Sequence, residues 1–175
     1  MKYAKFSMLN CNYRMEDTAL FGMTQSYQVL EKSGLKIGLT GVGIELEGLV
    51  PSALFKGIVV ESAVEQVNKT ARFLKKERAC DLVIVLSHLG YHYHSSKIDD
   101  KKLARQSQCV DLIIGGHTHS FLDKPVVVKN MDDLPVIINQ VGWAGLMLGR
   151  IDFRFQKDRK AHCFYCENKW VEWLD

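Results

Sequence analysis

No run in this chain approaches the roughly 18 consecutive apolar residues of a membrane-spanning helix. Its first residues, Met1-Lys2-Tyr3-Ala4-Lys5-Phe6-Ser7, lack the apolar stretch of a secretory signal. A helical span and an export address are therefore both unexpected within it. Internal repeats, low-complexity tracts and obvious linkers are also missing, which argues against solenoids and tethers and leaves one domain over residues 1–175 as the expected organisation. The net charge is only +3, too small to suggest a nucleic-acid polymer as partner. What remains, 47% apolar and 25% charged residues in a chain of 175, is the composition of a soluble globular body with room for a proper core.

The cysteines do not make a zinc ribbon. Cys163 and Cys166 form one C-x-x-C preceded by His162, but no second ligand pair accompanies it. Its setting, Ala161 to Glu167, reads as a strand and not as the helix start that lowers a thiol pKa, so structural or incidental thiols are expected. Cys80 and Cys109 flank two apolar runs and read as small buried thiols.

Hydrophobic periodicity orders the chain. Ser26 to Glu31 and Leu35 to Val42 are strand-like around Lys32-Ser33-Gly34, a hairpin signal. Gly41 to Val60, with several glycines and Pro51, reads as a loop across one end of a sheet. Glu61 to Arg78 is the clearest helix, with Val64, Val67, Ala71 and Leu74 at three- and four-residue steps and Ser62 with Glu65 as a capping box. Cys80 to Leu86 is an apolar strand, Asp99 to Ser107 a short helix with Leu103 as its clearest apolar residue, and Val110 to Ile114 a second apolar strand. After Pro125 the pattern changes to strands at Val126 to Val128, Val136 to Ile138 and Ile151 to Phe155. The charged turn Lys157 to Lys160 then leads into a last strand. The second group of strands is expected to be antiparallel.

Chemistry concentrates at two strand ends. Gly115-Gly116-His117-Thr118-His119 follows one apolar run directly, and Ser87-His88-Leu89-Gly90 follows the other. With the helix between them as a right-handed crossover, the strands run parallel and His88 lies on the same sheet edge as His117 and His119. That edge is where open α/β sheets bind ligands, and imidazole is the commonest protein ligand of transition metals. Three converging imidazoles suggest a metal site. Elsewhere, His92 and His94 read as surface residues of the loop after His88, with a substrate lip as the lesser alternative, and Asp123 as a turn former before Pro125. Trp143 reads either as a wall of the site or as core, and Trp170 and Trp173 as staples of the C-terminal region.

On these residues the chain resembles the latter half of the calcineurin-like metallophosphoesterases, in their 5'-nucleotidase branch. The match extends from Asn12-Tyr13 through Lys36-Ile37-Gly38-Leu39-Thr40-Gly41 to Asn139-Gln140-Val141-Gly142-Trp143-Ala144-Gly145 and Leu148-Gly149-Arg150-Ile151. The resemblance implies an α/β fold, part of a four-layer α/β/β/α sandwich of mixed sheets with flanking helices. It implies two divalent metal ions about 3.5–4 Å apart that clamp a phosphate ester for attack by metal-bound hydroxide. Manganese, zinc, cobalt and iron all suit such donors. His88 and His117 would then bind one ion and His119 the other. The family's Asp-x-His, Gly-Asp and Gly-Asn-His-Glu/Asp elements, the last holding its catalytic histidine, are not in this sequence. The chain thus looks like a member lacking roughly its first hundred residues, about half of an ordinary one-domain enzyme.

The expected substrate is a nucleoside monophosphate or another phosphomonoester. The competing expectation is a non-catalytic module that completes another chain's fold, its histidines vestigial or holding a single ion. A sheet without its partner layer would expose an edge and a face, so a homo-oligomer or a complementing N-terminal half is the expected partner. Members of the family are commonly periplasmic or exported.

Overall fold

The computed structural model describes residues 4–156 and 161–172; the expected turn at Lys157 to Lys160 and the staple at Trp173 lie outside them. In chain order the elements are β1 (Tyr13–Arg14), β2 (Tyr27–Lys32), β3 (Leu35–Val42), β4 (Val59–Val60), α1 (Ala63–Lys76) and β5 (Leu82–Ser87). They continue with α2 (Asp100–Gln106), β6 (Leu112–Ile114), β7 (Val126–Lys129), β8 (Pro135–Asn139), β9 (Met147–Phe155) and β10 (Ala161–Trp170). Six strands make one mixed sheet in the order β2-β3-β5-β6-β8-β7, parallel from β3 to β8 and antiparallel at both edges. β9 and β10 form a separate antiparallel ribbon, and β1 pairs with β4.

Local chemistry explains the boundaries. Ser62 caps α1 by accepting from Glu65 N at 3.4 Å, and Asp99 caps α2 by accepting from Lys102 N at 2.7 Å. Two aspartates just before strands fix the parallel register. Lys36 N donates to Asp81 Oδ2 at 2.7 Å, and Val83 N donates to Asp111 Oδ2 at 2.7 Å, where Lys75 Nζ also pairs at 2.8 Å. Asn68, buried on α1, donates to Gln106 O and accepts from Gln108 N, and so ties α1 to the end of α2.

The core lies between the helices and one face of the sheet. Val67, Ala71 and Leu74 of α1 and Leu103 and Ala104 of α2 meet Val83, Val85, Ile113, Val136 and Ile138, all fully buried. Strand side chains alternate between faces, so the neighbours Leu82, Ile84, Leu86, Leu112 and Ile114 point the other way. There the β9–β10 ribbon covers only part of the surface. An apolar groove of about 460 Å³ lies between Leu82, Ile84, Leu112 and Ile114 on one side and Ile151, Phe153 and Phe155 on the other. Leu86 and Ile114 remain 42% and 44% exposed. A reciprocal amide pair, Asn139 with Asn168 at 2.9 and 2.8 Å, fastens the ribbon to the end of β8.

The architecture is thus α/β, a mixed sheet with flanking helices, as the resemblance implied. Three local expectations are corrected. The segment read as loop from Gly41 to Val60 contains β4, whose partner β1 lies far away in sequence. β8 is parallel to β6, because the chain crosses the sheet edge and inserts β8 between β6 and β7 instead of adding antiparallel strands in sequence. β9 starts at Met147, not Ile151, because Trp170 pairs with it. Among the described residues no helix is long and apolar enough to cross a membrane.

Leu74 carries the contact between α1 and β3: a Cβ at Gly38 would stand 3.0 Å from its Cδ1. Leu74→Ala is expected to cost about 2–5 kcal/mol in urea unfolding, because β3 cannot close the space. A loss under about 1 kcal/mol would contradict this packing.

Candidate metal centre

In the β5–β6 register Leu86 stands beside Ile114, so Ser87-His88 and Gly115-Gly116-His117 leave the sheet side by side. Both exits remain fastened to outer neighbours. His88 N donates to Val42 O at 2.9 Å, and Gly115 N donates to Asn139 O at 2.8 Å. Gly116 allows the close approach, since a Cβ there would press to 3.2 Å from His88 Nδ1. The rings of His88 and His117 stand edge to face, 5.1 Å between centroids. Burial, then the neighbouring His88, Lys97 and His119, hold the His117 imidazole below its usual pKa. It is therefore neutral near pH 7, the form that ligates a metal.

His119 does not join this pair. Its ring lies parallel to that of Trp143, 5.9 Å between centroids, on the exposed side of the loop. Among the described residues no group of three or more histidine, cysteine or acidic side chains gathers closely enough to hold an ion. Two imidazoles at neighbouring strand ends suit a transition metal by donor type, but catalytic zinc sites take about three protein ligands. His88 and His117 fit an ion as part of a larger set.

A buried polar network supports the edge. Leu89 N donates to Ser87 Oγ at 3.1 Å, and Ser87 Oγ donates to Asp100 Oδ1 at 2.5 Å. Asp100 is fully buried and its Oδ2 has no hydrogen-bond partner. That oxygen lies against Gly115, where a Cβ would come within 2.2 Å of it. Burial pushes the Asp100 carboxyl up to about 7, with Ser87 opposing and Asp99 adding to the rise. Burial also raises Asp99 next door, but hydrogen bonds from Lys102 Nζ and from the Tyr93 and Lys102 amides outweigh it and hold the carboxyl below its usual value. Asp99 thereby anchors the loop after His88. A cavity of about 450 Å³ opens beside His88, lined by Asn10, Tyr13, Leu86 and Ile114 among others.

Other candidates fall as follows. His92 and His94 are exposed, their rings 5.2 Å apart, with His92 Nδ1 at 3.4 Å from Asp99 Oδ2. Asp123 is exposed in a bend before Pro125. Trp143 is 57% exposed, so it walls the histidine loop and is not core. Trp170 stacks on Phe121 at 5.0 Å, which staples β10 to that loop. Asn12 is structural, exchanging hydrogen bonds with Gly43 at the end of β3. Cys163 and Cys166 are not free thiols but a disulfide beside a bulge in β10, whereas Cys80 and Cys109 are free and pack against the core. The residues missed from sequence are Asp100 and Gln140. For Gln140 a signal existed, because it follows the apolar run Val136 to Ile138 as His88 and Gly115 follow theirs.

No protein-family model matches the chain. It is 34% identical over 131 residues to the trifunctional nucleotide phosphoesterase protein YfkN of Bacillus subtilis, covering 75% of this chain and 8% of that protein. Against the 5'-nucleotidase of Vibrio vulnificus the identity is 27% over 176 residues, covering 89% of this chain and 31% of the relative. The fold matches the crystal structure of a 5'-nucleotidase precursor from Thermus thermophilus with a TM-score of 0.81 at 24% identity, over 97% of this chain and 34% of that one. The chain therefore spans between a twelfth and a third of the length of these relatives.

Asp100 generates a pH dependence of stability. Its ordinary pKa is 3.8 and its folded value about 7. Between these values the folded chain keeps a proton that the unfolded chain has released, so this contribution is greatest below about pH 4 and is lost as pH rises toward 7. The loss amounts to at most about 4 kcal/mol. Urea unfolding of wild type and Asp100→Asn from pH 4.5 to 7.5 is expected to show the variant gaining relative stability as pH rises. Parallel profiles would contradict the burial of an unpaired carboxyl oxygen.

Proposed function

We propose, since this chain belongs to the 5'-nucleotidase branch of the calcineurin-like metallophosphoesterases, that it supplies the histidine-bearing part of a centre that hydrolyses nucleotide phosphomonoesters. The observation that carries this reading is the meeting of His88 and His117 at the ends of adjacent parallel strands. In this reading His88 and His117 would hold one divalent ion and His119 a second. Manganese, zinc, cobalt or iron would suit these donors. When bound, such ions polarise a phosphoryl oxygen and activate water.

The chain's own residues do the preparatory work. His117 is kept neutral by burial and by its cationic and imidazole neighbours, so its ring offers a lone pair without first losing a proton. Asp100 and Ser87 hold the turn that presents His88. Trp143 offers an exposed aromatic face at the same edge, suited to stacking against a nucleobase. The catalytic histidine of the family has no counterpart proposed within this chain.

A second reading rests on the partly bare sheet face. Leu86, Ile114 and the groove under Phe153 and Phe155 favour a chain that completes another fold or pairs with its own copy, its histidines holding a single ion or none. A clean monomer at micromolar concentration in sedimentation would count against this second reading, and a concentration-dependent dimer or a complex with an added N-terminal half is its expected result.

For the first reading, calorimetric titration with Mn²⁺ or Zn²⁺ is expected to show binding that His117→Ala weakens at least about tenfold. Equal metal affinity in wild type and variant would overturn the assignment.

A further inference from the structure

Gln140 leaves β8 at the same sheet edge as the two histidine loops, and its side chain is 1% exposed. The amide is used on both sides. Nε2 donates to Gly116 O at 2.7 Å, while Oε1 accepts from Thr118 Oγ1 at 3.0 Å and from Ser120 N. Residues 116, 118 and 120 are thus bound to one side chain, and the residues between them are His117 and His119.

Those two residues sit in left-handed backbone, at φ 69° and 50°. That region costs a residue with a side chain on the order of 1 kcal/mol or more and persists only where surrounding bonds impose it. Here the imposing group is the Gln140 amide. Thr118 extends the tie to the other loop: its single hydroxyl proton goes to Gln140, so its oxygen accepts from Tyr91 N at 2.9 Å and from Ser120 Oγ at 3.0 Å. Tyr91 belongs to the loop that follows His88.

We infer that Gln140 is the positioning residue of the histidine loop, a buried amide around which residues 116–120 are wound so that the rings of His117 and His119 are presented in fixed directions. The hydrogen bonds of the Gln140 side chain go to Gly116, Thr118 and Ser120 and to neither ring. Its functional meaning rests on the reading of those histidines as metal ligands, but its structural action does not. Gln140→Met keeps the volume and loses all three bonds. Gln140→Glu keeps both acceptor bonds and sets a carboxylate oxygen against Gly116 O.

The test is a histidine-ring ¹H–¹⁵N NMR spectrum of the chain and of both variants, with thermal melting alongside and Zn²⁺ as the metal probe. In variants that still fold, the His117 and His119 ring resonances are expected to shift or broaden while that of His162, on the distant ribbon, stays in place. Zn²⁺ affinity is expected to fall about 10–100-fold. A merely structural residue would lower the melting temperature and leave the ring resonances of the folded protein unmoved. Unmoved His117 and His119 resonances in either folded variant would overturn the inference. If the wild-type rings do not respond to Zn²⁺ but the variants' ring resonances move, the metal reading fails and the positioning role stands.

Discussion

The site depends on the register between β5 and β6. Parallel pairing of Leu86 with Ile114 brings two chain exits within one strand spacing of each other. A slip of one residue would turn Ile113 and Val85 out of the core and separate the histidine loops at the same time. The register is held from both ends. At the start of the strands, Asp81 and Asp111 accept from backbone amides of the neighbouring strands, and Lys75 from α1 closes on Asp111. Beyond their ends, His88 remains bonded to β3 and Gly115 to β8. The apolar core supplies the driving force, and these few polar contacts select the alignment.

The carboxyl edge is built from polar groups that have given up water. Asp100, Ser87 and Gln140 are all buried, and all three bond to the loops bearing the histidines or to their immediate neighbours. Such groups are costly unless paired, and Asp100 Oδ2 is left unpaired beside Gly115. Buried polar groups of this kind cluster where a structure must hold side chains in one direction. The opposite face of the sheet is apolar and only partly covered, and it offers packing surface in place of directional bonds.

Local signals made the first half of this arrangement legible in sequence. Apolar runs bounded by Asp99 and Ser62 caps defined β5, α2, β6 and α1 to within about two residues, the usual uncertainty of helix and strand ends. The parallel crossover followed from handedness, and the meeting of His88 with His117 followed from the crossover. What remained hidden depends on contacts between distant segments. β1 and the early start of β9 exist because of their partners. The direction of His119 depends on Trp143 and on a left-handed φ that no local pattern announces. Gln140 follows an apolar run as His88 does, but its place beside the histidine loops depends on β8 inserting next to β6. The disulfide of Cys163 and Cys166 likewise depends on the bulge in β10 and not on the C-x-x-C spacing alone.

The relatives that the chain resembles are named as a nucleotide phosphoesterase and a 5'-nucleotidase, while the chemistry at its edge is the part open to direct test. X-ray absorption at the zinc edge, on the purified chain loaded with one equivalent of Zn²⁺, reads the donor atoms without requiring turnover. The expected spectrum shows at least two imidazole nitrogens at about 2.0–2.1 Å, with their outer-ring scattering reduced in His88→Ala. A shell of oxygen alone, or sulfur from Cys11, Cys80 or Cys109, would contradict the assignment of this edge as a metal site.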